Sequence, residues 1–257
     1  MASDRFDVYA AALLRWTAGA LLLVGAGLAI STVAGAATTG VVAGIVRLDG
    51  PAPSRPPLQV FKSHEACGES VPDDRLVVGQ GGGLRYAVVT VEGVRGGKPP
   101  ERDATLLLDN LGCRFVPHVQ VAEVGQWLEI SNSDPVLHNA DAHLGKETLF
   151  NVALRPALRV RKPLARAGLV AVTCDVRHTW MSAFIDVTDH PYHTVTDVDG
   201  AYEIRDLPSG TYTLRIWHEE LGTVTRPLVV KPGETTTLDV AYPPMAERTA
   251  ETKEGGR

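Results

Sequence analysis

Short apolar runs, each ended by turn-forming residues, recur along most of this chain. Val41-Val42-Ala43-Gly44-Ile45-Val46, Arg85-Tyr86-Ala87-Val88-Val89-Thr90-Val91 and Thr105-Leu106-Leu107-Leu108 are bounded by Gly, Pro, Asp and Asn, the pattern of strands rather than helices. Gln126 to Ile130, Gly168 to Thr173 and Ala183 to Val187 read the same way. No stretch beyond the N-terminal region repeats its apolar positions at helical spacing. Many short strands with turns between them predict an all-β chain built of sandwiches.

The exception is Trp16 to Val33, an apolar run of about 18 residues, close to what spans a bilayer. It follows Arg5 and Arg15 and ends in Ala34-Gly35-Ala36-Ala37, the layout of a secretory signal with a small-residue cleavage site. Residues 1–36 are therefore predicted to be a signal peptide or, since the run is long, an uncleaved N-terminal membrane anchor. Either one puts the rest outside the cytoplasm, with the periplasm as the expected compartment. The formal charge of −5 gives no reason to expect nucleic acid or anionic lipid as a partner.

Candidate chemistry concentrates in Cys174-Asp175-Val176-Arg177-His178-Thr179-Trp180-Met181. A thiolate, an imidazole and a thioether within one loop are donors that soft, redox-active copper selects. Strand-like runs on both sides let the loop fold back so that its donors converge. A fourth donor is expected from Ser131-Asn132-Ser133-Asp134-Pro135-Val136-Leu137-His138-Asn139, because the residues between His138 and Cys174 leave room for about two strands and their turns.

These residues resemble the cupredoxins, small blue-copper β-sandwiches with an early His-Asn pair, then a strand ending in Cys with His and Met on the same loop. The resemblance implies a Greek-key sandwich and one copper ion held by His138, Cys174 and His178, with Met181 as a weak axial donor and Asn139 among the outer hydrogen bonds. A two-copper centre would need a second Cys four residues earlier, where Val170 stands. His118 and His143 are the rival imidazoles. With Cys174 on a metal, Cys67 and Cys113 are either a disulfide, as an oxidising compartment allows, or two separate thiols.

From about residue 189 the texture changes. Thr194 to Ile204 contains Thr196-Asp197-Val198-Asp199-Gly200-Ala201-Tyr202, and Leu207 to Leu214 contains Pro208-Ser209-Gly210-Thr211-Tyr212. This resembles the carboxypeptidase regulatory-like domain, a small prealbumin-like sandwich for which no catalysis is implied. Its usual first strand is missing from this stretch, and Gly40 to Pro53 looks similar to one, so the halves are expected to share a sheet. Asp197 and Asp199 lack the other donors of a calcium loop and read as a hairpin turn. Gln80 to Leu84 reads as a turn, and His218-Glu219-Glu220 as solvated strand-end polarity.

The chain accordingly divides into 1–36, a cupredoxin-like domain at 37–188, a regulatory-like sandwich at 189–243 and a disordered tail at 244–257. As a whole it resembles bacterial cupredoxin-like proteins, some of them named for methylamine utilisation, that join such a loop to such a sandwich. The implied function is a carrier of single electrons, not an enzyme, working with a redox protein in the periplasm. The alternative is a copper-binding or delivery module without redox turnover. The chain has no His-x-His pair, which argues against a copper oxidase or nitrite-type enzyme.

Overall fold

The computed structural model describes residues 39–245. The predicted signal or anchor and nearly all of the predicted tail lie outside them. Within the described residues the chain is all-β, with one short helix at His64–Cys67 and a 3-10 turn at Gln80–Gly82. No helix there is long and apolar enough to cross a membrane.

One sandwich faces a five-stranded sheet, ordered Glu147–Leu154, His138–Leu144, Gly168–Thr173, Ser182–Thr188, Val119–Glu123, against a four-stranded sheet, ordered Arg159–Pro163, Trp127–Asn132, Thr105–Asn110, Phe115–Val116. Alternation decides which side chains face inward. Val170, Val172 and Cys174 share the parity of one strand and Ala140 and Ala142 that of its neighbour, and all enter a core with Leu108, Leu128, Ile130 and Ile185.

The other sandwich takes strands from both ends of the described chain. Thr39–Leu48 pairs antiparallel with Ala201–Pro208 and parallel with Thr235–Thr237 and Val240–Tyr242. The facing sheet runs His193–Val195, Val88–Glu92, Gly210–His218, Gly222–Val230. Val42, Val46, Val89 and Val91 are buried in one cluster with Ile204, Leu214, Ile216 and Tyr242. The strands thus do not divide at 188/189 as the linear reading of 37–188 and 189–243 has it. The first sandwich, from Thr105 to Thr188, is inserted between Val88–Glu92 and His193–Val195 of the second. The physical reason is burial: the apolar faces of Thr39–Leu48 and Val88–Glu92 complement the C-terminal strands, and burying them there removes apolar surface from water.

Three local expectations change as well. Arg85 to Ala87 leaves the ladder as a turn, with Tyr86 at φ 67°, and the strand begins at Val88. The Asp197–Gly200 turn closes as expected, with Gly200 N–H donating to the Asp197 carbonyl at 3.1 Å, but it is a corner rather than a hairpin, because its flanking strands join opposite sheets. Gly200 is required there: at φ 78°, an added Cβ would lie 2.3 Å from the Val46 carbonyl oxygen. Finally, His218-Glu219-Glu220 is partnered rather than simply solvated. His218 is buried, Glu219 bonds to His118, and Glu220 accepts from Arg55 at 2.8 Å.

Candidate metal centre

Two adjacent strands of the five-stranded sheet bring the donors together. His138 opens its strand, Cys174 follows directly on the end of Gly168–Thr173, and the antiparallel register sets Thr173 opposite Asp141. Inward parity then aims both side chains at one point. The loop after Cys174 turns back, with Arg177 at φ 67° and the Met181 N–H donating to the His178 carbonyl at 2.9 Å. That turn delivers His178.

The resulting triangle of donor atoms is small. His138 Nδ1 and His178 Nδ1 are 2.9 Å apart, and Cys174 Sγ lies 3.9 Å from the first and 3.8 Å from the second. Each side is shorter than two metal–ligand bonds of about 2.0 Å to nitrogen and 2.3 Å to sulfur laid end to end, so one ion reaches all three. All three side chains are buried. A second cluster of Cys113, Asp134 and His138 has no thiolate to offer, because Cys113 is bonded to Cys67.

The outer atoms of the donors are fixed by neighbours. Asp134 Oδ2 lies 3.0 Å from His138 Nε2, and its carboxylate also accepts from the Gly112 and Cys113 N–H groups at 2.7 and 2.8 Å. With the carboxylate accepting, the His138 proton sits on Nε2 and leaves Nδ1 as a bare lone pair facing the triangle. His178 Nε2 lies 3.3 Å from the Ser63 hydroxyl. The Asn139 N–H points at Cys174 Sγ at 3.5 Å, and its side-chain oxygen accepts from the Asp175 and Val176 N–H groups at 2.6 and 3.3 Å. Asn139 therefore ties the strand of His138 to the loop of Cys174.

Electrostatics splits the two imidazoles. Burial pulls the His138 pKa down, but the Asp134 hydrogen bond and the nearby Cys174 outweigh it, so the net shift is upward. Burial, followed by the charge on His138, lowers His178 to about 4. Burial raises Asp134, yet the His138, Cys113 and Gly112 donors hold it below the ordinary carboxylate range. The two facing nitrogens and the sulfur make a donor set that one cation can occupy.

Sequence reasoning anticipates His138, Cys174, His178 and Asn139 in this cluster. Met181 is nearby in the chain and fully buried, its thioether in the core with Val172 and Ile185. His118 lies elsewhere, its Nδ1 3.0 Å from the Ser182 carbonyl and its Nε2 on Glu219. His143 bonds Asp141 at 2.7 Å. Asp134 stands inside the segment the sequence singles out, four residues before His138, but nothing local marks it as an imidazole partner. Ser63 has no sequence signal at all.

Residues 181–243 match the family model of the carboxypeptidase regulatory-like domain. None of the curated proteins matches the chain. Among solved structures, the chain is similar to a Cu-containing nitrite reductase from Thermus scotoductus SA-01, at 24% identity and a TM-score of 0.30 over 37% of this chain and 24% of that one. It is also similar to a purple cupredoxin from Nitrosopumilus maritimus, at 22% identity and a TM-score of 0.29 over 33% of this chain and 99% of that one. An amicyanin in a Cu(I) form is similar at 14% identity and a TM-score of 0.30, over 38% of this chain and 97% of that one.

Proposed function

We propose that this chain carries single electrons in the periplasm on one copper ion, held by His138 Nδ1, Cys174 Sγ and His178 Nδ1 with Met181 as a weak further donor. One observation supports this above the rest: a cysteine sulfur and two imidazole nitrogens converge within 3.9 Å, buried, with the outer imidazole nitrogens already taken. Copper in such a donor set exchanges one electron between its +1 and +2 states.

The protein's own residues prepare the set. Asp134 fixes the tautomer and orientation of His138, Ser63 meets the outer nitrogen of His178, and the Asn139 N–H supports negative charge on Cys174, as outer-shell partners do in metal sites. Burial keeps water and larger molecules from the donors, which suits a carrier better than an enzyme. The Cys67–Cys113 disulfide and the signal-like N-terminus support export. Kinship with cupredoxin-like proteins that carry a regulatory-like sandwich, and a redox protein as partner, belong to the same reading.

Visible and electron spin resonance spectra of the copper-loaded exported segment test this. We expect one copper per chain and an intense thiolate-to-copper(II) band that Cys174→Ser abolishes. His138→Ala should remove tight binding. A colourless copper(II) protein, or binding of copper(I) alone, would move the assignment to copper delivery.

A further inference from the structure

His178 is only 1% exposed, and what covers it is a segment from outside its own sandwich. Leu58–Gln59 and Ser70–Val71 pair as a small hairpin, with Ser63 and the helix His64–Cys67 between them. Ser63 Oγ sits 3.3 Å from His178 Nε2, and Lys62 Nζ donates to the Val176 carbonyl at 3.4 Å. The Cys67–Cys113 disulfide pins the segment down. Val60, Cys67, Val71 and Cys113 form their own buried cluster, packed against Val136 and Trp180. The segment therefore touches both donor loops, one before His138 and one after Cys174.

Aromatic rings lead outward from the covered imidazole. The His178 and Trp180 ring centroids are 5.1 Å apart, and those of Trp180 and Phe61 6.5 Å. Trp180 is held by its Nε1–H on the Cys113 carbonyl at 3.0 Å, the disulfide residue itself. Phe61, on the covering segment, is 74% exposed, the most exposed large apolar side chain among the described residues. Phe61 thus keeps its ring beside Trp180 while most of its surface faces water. Electron tunnelling weakens steeply with distance, so rings in close succession offer a short route from the site to solvent.

We propose that residues 58–71 are a disulfide-pinned cover that closes the imidazole edge of the site and leaves the Trp180–Phe61 ring pair as its link to the surface. The cover stands on geometry alone; the ring route rests on the copper-carrier reading.

The cover is tested without metal. Cys174 is the single free thiol, and its thiolate attacks an aromatic disulfide reagent to give a mixed disulfide and a coloured aromatic thiolate. Replacing both Cys67 and Cys113 by Ser should speed this reaction by about tenfold or more, because local opening governs access to a buried group. Val60→Ala, which loosens the same cluster with the disulfide intact, should speed it by a smaller factor, and serves if the double variant does not fold. Equal rates in wild type and variants overturn the cover.

The route is tested on the reduced, copper-loaded protein, from which hexacyanoferrate(III) takes one electron to become hexacyanoferrate(II). At low salt Phe61→Lys should react about tenfold faster than Phe61→Glu, the two converging at high ionic strength, while Lys and Glu at Val229, exposed on the other sandwich, differ little. Indistinguishable rates for the two Phe61 variants overturn the route. Absence of a thiolate-to-copper band would instead count against the carrier reading, with the Cys174 result still deciding the cover.

Discussion

At the scale of single residues, a buried histidine should make this protein less stable in acid. His218 is almost fully buried, its Nδ1 accepting the Glu220 N–H at 3.3 Å. Burial lowers its pKa from 6.5 to about 4. The unfolded chain takes up a proton below about pH 6.5 that the folded form refuses until about pH 4, so stability is complete above 6.5 and falls through that window. The loss from this one group reaches about 3 kcal/mol. Urea unfolding of the metal-free His218→Gln variant should therefore show a shallower loss between pH 7 and pH 4.5 than wild type, by about 2–3 kcal/mol. The sequence places His218 at a strand end, and from there it reads as solvated; its burial follows from Tyr242, a neighbour that only the paired sheets supply.

Between elements, the weak point of a site built from two loops is the tie that keeps them in register. Asn139 supplies it, bonding the Asp175 and Val176 N–H groups and donating to Asn151 Oδ1 at 2.9 Å. Asn139→Ala leaves those N–H groups without their acceptor and should cost the metal-free protein about 2 kcal/mol. In the copper-loaded protein the same change should broaden or shift the thiolate band while leaving binding intact. Chemical denaturation and the visible spectrum read the two effects separately. Much of this element was legible beforehand. Cys174, His178 and Met181 fall within one loop between recognisable strands, and an alternating strand pattern states which side chains share a face. What the pattern omits is the outer support: Asp134 and Ser63 are ordinary polar residues until the fold sets them against imidazoles.

For the whole molecule, inserting one sandwich into the sequence of the other joins them by contacts that the linear layout hides. Asp186, in the five-stranded sheet, bonds Arg215 at 2.8 Å and Thr90 at 3.1 Å in the other sandwich. Phe184 packs on Trp217 with ring centroids 5.1 Å apart, and His118 meets Glu219. A fragment of residues 37–188 would lose Tyr202, Ile204, Leu207, Leu214, Ile216, Leu228 and Tyr242, which bury Val42, Val46, Val89 and Val91 in one cluster. We expect such a fragment to aggregate or remain partly unfolded, whereas residues 39–245 unfold in one calorimetric transition. A soluble, cooperatively folding 37–188 would show that Thr39–Leu48 and Val88–Glu92 do not need their C-terminal partners.

Sequence by itself determined the β character, the turns at Gly and Asp, and the donor-rich loop with its matching histidine, because period, turn chemistry and ligand spacing are written over a few neighbouring residues. Only the tertiary structure decided that Thr39–Leu48 and Val88–Glu92 join the C-terminal sheets, that Cys67 bonds Cys113, and that Ser63 and Phe61 lie over His178. Those pairings join positions 46 to 194 residues apart, brought together by which apolar faces complement each other in the packed molecule. No local pattern carries a complementarity that exists only once both surfaces have formed.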